Sequence, residues 1–194
     1  MPKRALTVLC DMDGIVVSIH QKWYDRYNER YGDELTIEKV TDWNTHLFAK
    51  HGKKVYEPLL EPGFFLDVPE IPGALEGIQT LQSAGHRVVI VTASSRFAAS
   101  DKMHWWNNRA PWFSQKNLLI GYPKDLVKGD VLIDDGPHNI IDYSKAWPDA
   151  MLCAMSYPYN QHVRSKCAVF AEDWKTPDKC WKTFVEAILG YGER

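Results

Sequence analysis

Apolar residues along this chain fall into short unbroken runs, separated by stretches of helical periodicity. The runs are ALTVLC (5–10), RVVIVT (87–92), DVLID (130–134) and AMLCAM (150–155), with a weaker fifth, NLLIG, at 117–121. Runs of this length, rich in β-branched residues and bounded by polar residues or glycine, predict strands buried on both faces. Between them, PGALEGIQTLQSAG (72–85) repeats apolar residues at helical spacing, and RFAASDKMHWWNNR (96–109) reads as a second helix. The tail TPDKCWKTFVEAILG predicts a third, with Thr176 as N-cap, Pro177 at the first helical position and Gly190 as C-cap.

Strands alternating with helices predict an α/β fold, a Rossmann-like parallel sheet covered on both faces. The segment 18–71 breaks the alternation. WYDRYNERYG, IEKVTDWNTHLFAKHG and KKVYEPLL are aromatic-rich helical patterns without a good strand. They predict a small helical cap inserted after the first strand, so that residues 1–17 and 72–194 form the core and 18–71 the cap.

In parallel sheets of this kind, ligands bind beyond the carboxyl ends of the strands. Asp11, Thr92 and Asp134 each terminate a separate apolar run. The first run ends in D-M-D-G, two carboxylates two residues apart. Along extended backbone, side chains at i and i+2 share a face. A carboxylate there can attack phosphorus as a nucleophile, and a second beside it can give and take the proton. Gly14 lets the chain turn away and leaves the site open.

Adjacent carboxylates repel, so a cation belongs with them. Asp134 and Asp135 close the run DVLID, and four acidic groups converging on strand ends make a hard oxygen site suited to Mg²⁺. For the phosphate, Thr92 supplies a hydroxyl, Ala93 and Ser94 supply backbone N–H groups near a helix start, and Lys124 supplies a fixed positive charge. Taken singly, an Asp-Gly pair is also a turn, and a strand-end threonine is also a helix cap. The order D-x-D-G, Thr, Lys, DD, each acid or hydroxyl closing its own run, is what points to phosphoryl chemistry.

Composition narrows the setting. The chain has 194 residues, 45% of them apolar, enough to bury one substantial core. Its formal net charge of −2 offers no basic field for a nucleic-acid polymer. Cys10, Cys153, Cys167 and Cys180 form no C-x-x-C pair, and neither a disulfide framework nor a zinc site using His162 and Cys167 is expected. The apolar stretch before Asp11 is too short for a secretory signal, and no run approaches the ~18 apolar residues of a membrane helix. A soluble, cytoplasmic monomer or homodimer is expected.

VLCDMDGI, VIVTAS, Lys124 and LIDD resemble the four motifs of the Mg²⁺-dependent phosphatases of the haloacid dehalogenase superfamily. More narrowly, EPGFFLDVPEIPGALEGI (61–78), the spacing from Lys124 to Asp134, and YNQH…FAEDWKTP resemble the 5′(3′)-deoxyribonucleotidases of the cytosolic and mitochondrial pyrimidine type. The resemblance implies Asp11 as nucleophile and metal ligand, and Asp13 as acid–base residue that also binds Mg²⁺ through its backbone carbonyl. It further implies Thr92 and Lys124 on the phosphate, and Asp134 on the metal with Asp135 beside it. The implied substrates are deoxyribonucleoside monophosphates, dUMP and dTMP above all.

Three departures stand out. The family usually follows its threonine with Ser-Pro, where this chain has Ala93 and Ser94, so either one side-chain phosphate donor is lost or Ser94 substitutes for it. Gly136 follows DD where relatives often carry a longer charged residue. In the cap, Phe65 aligns through the GFF stretch and Trp43 after a shift of several residues, at positions where the family places aromatics around base and sugar. A phosphotransferase or mutase on another small phosphomonoester remains an alternative, and a non-catalytic binding protein a further one.

Overall fold

The computed structural model describes residues 4–121 and 123–193, so the opening residues of the 1–17 segment lie outside the described residues. Six parallel strands form one sheet: β1 (Thr7–Cys10), β2 (Arg87–Thr92), β3 (Leu118–Ile120), β4 (Val131–Ile133), β5 (Met151–Met155) and β6 (Val169–Ala171). Their order is β3-β2-β1-β4-β5-β6, the α/β arrangement expected from the alternating pattern. Five of the strands match the five apolar runs, but β3 lies at the sheet edge with Leu119 exposed and is not buried on both faces as its run predicted. The sixth, β6, is a three-residue, half-buried edge strand with too short a pattern to stand out.

Successive side chains on a strand point to opposite faces, and this sorts the sheet residues into two cores. Val8, Cys10, Val88, Ile90, Val131 and Ile133 pack on one face with α2 (Ala74–Ser83), α3 (Arg96–Arg109) and α5 (Pro177–Tyr191). Leu9, Val89, Val91, Leu132 and Leu152 pack on the other, against Ile140 and Tyr143 of α4 (Pro137–Ala146) and Val163. Helix α4 begins with Pro137 at its first position, where the missing N–H costs nothing. Helix α5 runs through Gly190 to Tyr191 rather than capping there. The burial of Phe184 and Ile188 carries the helix past a glycine whose propensity cost is only about 1 kcal/mol.

Residues 18–71 leave the sheet after β1 and return before α2. Backbone bonds from Ser18 N to Pro69 O (2.8 Å) and from Ile71 N to Val16 O (2.8 Å) tie the outgoing and returning chain together. Within the segment only α1 (Ile19–Tyr31) is an α-helix. The other helical patterns fold as short 3₁₀ segments at Ile37–Lys39, Thr45–Leu47 and Gly52–Leu60. The last begins at a glycine with φ +55° and contains Pro58, which has no N–H to extend a helix. The insertion has no separate core, because Trp23, Tyr27, Ile37 and Val55 join the cluster that covers the sheet.

Candidate active site

The strand order reverses between β1 and β4, so the loops that follow these neighbouring strands open a crevice at their carboxyl ends. Cys10 pairs in register with Ile133, and the Asp11 N–H continues the ladder to Ile133 O at 2.9 Å. Asp11 and Asp134 therefore emerge side by side. Lys124 bridges them, its Nζ lying 2.8 Å from Asp11 Oδ1 and 2.7 Å from Asp134 Oδ2. All three residues are buried.

The remaining oxygen of Asp134, Oδ1, accepts from the Gly136 N–H (2.8 Å) and from Asn139 Nδ2 (3.1 Å). Asp135 is held from the segment after β5: the Tyr159 hydroxyl donates to its Oδ2, and Asn160 Nδ2 to its carbonyl at 2.9 Å. From the same segment the Tyr157 hydroxyl donates to Gly14 O at 2.8 Å. The D-x-D-G turn and the DD pair are thus braced by Tyr157, Tyr159 and Asn160 of one short segment. Gly14 is required twice over. Its φ is +74°, and a Cβ there would stand 2.6 Å from Asp135 Oδ2.

Asp13 faces a different partner. Its Oδ2 accepts from Lys102 Nζ at 2.6 Å, and the same ammonium donates to Thr92 Oγ1 and Ala93 O, each at 2.8 Å. Asp13 Oδ1 is buried and has no hydrogen-bond partner among the described residues. Thr92 is fully buried at the end of β2. Ser94 does not reach the crevice with its side chain: its hydroxyl turns back to Ser95 O at 3.0 Å, and Ala93 lines the cavity instead.

Above the acids lies a cavity of about 550 Å³, lined at its floor by Asp11, Asp13, Lys124 and Asp135. The 18–71 insertion supplies a wall that includes Trp23, Tyr24, Trp43 and Tyr56. Trp43 is 42% exposed; its ring sits 4.9 Å from His138 and edge-on to Tyr159 at 5.5 Å. Phe65, expected beside the substrate, is only 4% exposed and is not among the lining residues. The GFF turn seats Phe64 and Phe65 together in the core, rings 5.0 Å apart, with the Phe65 ring 4.7 Å beneath Lys102 Nζ.

Burial dominates the electrostatics. It pushes the Asp11 carboxyl up to about 7, a rise that Lys124 opposes and that Asp134 and Asp13 reinforce. Burial, with the charges of Asp11 and Asp134, also holds Asp135 well above the ordinary carboxylate range. At Lys124, desolvation works to lower the pKa, but Asp11 and Asp134 outweigh it and keep the ammonium charged. His20, whose Nε2 stands 3.2 Å from the Tyr159 hydroxyl, is driven down to about 4 by burial and is neutral at physiological pH.

One oxygen from each of Asp11, Asp134 and Asp135 falls in a group no more than 4.8 Å across. Buried carboxylates crowded together with a single lysine for compensation match the donor set of a hard divalent cation. Asp135 joins this group with Asp11 and Asp134, whereas the carboxylate of Asp13 is turned away toward Lys102.

Lys102, Tyr159, Asn160 and His138 carry no local signal in the sequence. Lys102 meets Asp13 across 89 positions, and Tyr159 meets Asp135 across 24. The stretch YNQH held the only hint, as part of a family pattern.

Among the described residues no helix is long and apolar enough to cross a membrane. In the solved structures, a haloacid dehalogenase family hydrolase from Deinococcus radiodurans R1 shares the fold, with a TM-score of 0.59 at 18% identity over 96% of this chain and 98% of that one. The 5′(3′)-deoxyribonucleotidase of Clostridium acetobutylicum is 32% identical over 139 residues, 71% of this chain and 77% of that protein. The human mitochondrial 5′(3′)-deoxyribonucleotidase is 24% identical over 190 residues, 89% and 82% of the two chains. Residues 4–180 match the family described as 5′ nucleotidase, deoxy (pyrimidine), cytosolic type C protein. With the D-x-D-G, lysine and DD groups gathered at one crevice, this chain belongs to that family and is a phosphoric monoester hydrolase.

Proposed function

We propose that the protein is a Mg²⁺-dependent phosphohydrolase of (deoxy)ribonucleoside monophosphates, with dUMP and dTMP as its preferred class, and that it works through an aspartyl phosphate. One observation carries this reading: Lys124 locks Asp11 and Asp134 together at the floor of a cavity whose upper wall is aromatic. That pairing suits a substrate with a dianionic end and a flat apolar end. The names of the relatives point to the same substrate class.

In this scheme the phosphate enters with its oxygens toward Lys124, Thr92 and the backbone N–H groups after β2. Asp11 attacks phosphorus, the bond from phosphorus to the sugar oxygen breaks, and Asp13 gives its proton to that oxygen. Asp13 then takes a proton from water as the water oxygen attacks the phosphorus. The bond to Asp11 breaks, inorganic phosphate leaves, and both carboxyl groups return to their starting state. A Mg²⁺ held by Asp11, Asp134 and the backbone carbonyl of Asp13, with Asp135 alongside, would screen the phosphate from the carboxylates. The 18–71 insertion acts as the cap, and the base rests against Trp43 and Tyr159.

Phosphate release from a panel of nucleoside monophosphates, with sugar phosphates for comparison, tests the proposal. Pyrimidine deoxynucleotides should turn over fastest, and EDTA should stop the reaction until Mg²⁺ is restored. Faster turnover of sugar phosphates, or activity that survives chelation, would contradict it.

A further inference from the structure

The geometry points to Lys102 as a positioning residue that holds Asp13 in its acid–base pose, an inference that rests on the acid–base role proposed above. Lys102 lies in the second turn of α3, and its side chain is 1% exposed. An ammonium has three N–H donors. Here all three have acceptors: Asp13 Oδ2 at 2.6 Å, Thr92 Oγ1 at 2.8 Å and Ala93 O at 2.8 Å. The Phe65 ring closes the fourth side, 4.7 Å from Nζ, a contact favourable to a cation.

This saturation separates Lys102 from Lys124. Lys124 lines the cavity and stands among the acids, whereas Lys102 is not among the cavity-lining residues. For Lys102 to hold a phosphate oxygen it would have to give up one of its three bonds. Its effect on Asp13 is to make the two carboxylate oxygens unequal. Oδ2 is pinned, and Oδ1 is buried without a partner among the described residues, on a residue that lines the cavity. Lys102 thereby fixes the rotation of the carboxyl group that exchanges the proton. Because Thr92 shares the same ammonium, the phosphate seat and the acid–base group are held at a constant distance from one another.

Replacing Lys102 by Met keeps a long side chain and removes the donors. With a nucleoside monophosphate the expected result is a kcat loss of about 10²- to 10³-fold, the range of a misplaced acid–base group, with KM changed by less than about threefold. With p-nitrophenyl phosphate, whose leaving group needs no proton, the first step survives while hydrolysis of the aspartyl phosphate slows. Rapid mixing should then show a burst of about one p-nitrophenol per site. In an Asp13→Asn background the Lys102→Met change should cost nothing further, because the residue acts through Asp13.

A rise in KM with kcat retained would make Lys102 a phosphate ligand and overturn the assignment. So would a loss without a burst, or full additivity with Asp13→Asn. If Lys102→Met does not fold, Lys102→Gln carries the same burst and additivity measurements. Asp13→Asn alone tests the acid–base role: retained turnover there would overturn that role, whereas lost turnover in Asp13→Asn with Lys102→Met unaffected would overturn only the positioning role of Lys102.

Discussion

The floor and the wall of the cavity are built on different principles. The floor comes from strand ends, and its acids are each held by a partner: Asp11 and Asp134 by Lys124, Asp13 by Lys102 from behind, Asp135 by the Tyr159 hydroxyl. The wall comes from α1 and short 3₁₀ segments of the 18–71 insertion, and it offers mostly rings. A preorganised floor can direct charge in a transition state without moving. A wall of aromatic rings can accept or reject a flat group without touching the reacting atoms. Catalysis and selection are thereby separated in space, and substitutions in the two regions should fail in different ways.

The largest effect is expected at the floor. Asp11→Asn removes the proposed nucleophile and should lower turnover by about 10⁴-fold or more, while the protein stays folded and still binds nucleotide. Phosphate-release assays and ligand-dependent shifts in thermal midpoint measure the two separately. Appreciable residual turnover would mean that another group attacks phosphorus.

The floor should also make stability depend on pH when no divalent cation is bound. Burial raises Asp11 from 3.8 to about 7, so between those values the folded protein holds a proton that the unfolded chain has released. Its contribution is fully present below about pH 4, is lost as pH rises toward 7, and is flat beyond. Three units correspond to about 4 kcal/mol at most, and neighbouring charges share the effect. Unfolding midpoints in EDTA should fall from pH 5 to pH 8, the fall should shrink with Mg²⁺, and Asp11→Asn should remove its share. A flat profile in EDTA would show that Lys124 alone compensates the acids.

Phe65 and Trp43 sharpen the contrast between floor and wall. Phe65 supports the floor from beneath Lys102 and packs on Phe64. Its replacement by Ala should cost about 3 kcal/mol in chemical denaturation and lower kcat through Lys102. An unchanged unfolding curve together with a raised KM would move Phe65 into the substrate site.

The two regions were unequally legible in the sequence for the same physical reason. Strands β1 to β5 and helices α2 and α3 show in local apolar patterns, because a buried strand must be apolar along its whole length. The acids at their ends show because charge interrupts those patterns. Lys102 sits within an ordinary helical pattern, and only the fold brings it to Asp13. Residues 37–60 look helical by spacing but fold as separate 3₁₀ segments, the last of which begins at Gly52 and contains Pro58. Which of their rings faces the cavity depends on how these pieces pack, so the pattern around Trp43 and Phe65 does not tell lining from core. Helix α4 had a usable sign in Pro137, placed directly after the DDG turn.

Trp43 gives the smallest and most selective effect. Its ring is 42% exposed and touches His138 and Tyr159 at the upper end of the cavity, away from the ion pairs of the floor. Trp43→Ala should raise KM for nucleoside monophosphates about tenfold, equivalent to about 1.4 kcal/mol of lost stacking. It should leave kcat within about twofold and p-nitrophenyl phosphate nearly unaffected, because that substrate ends before the wall begins. Thermal unfolding should shift by only a few degrees, since so exposed a side chain buries little area. Parallel losses on both substrates would instead show that Trp43 supports Tyr159 and, through it, Asp135. The boundary between a selecting wall and a reacting floor would then have to be drawn outside Trp43.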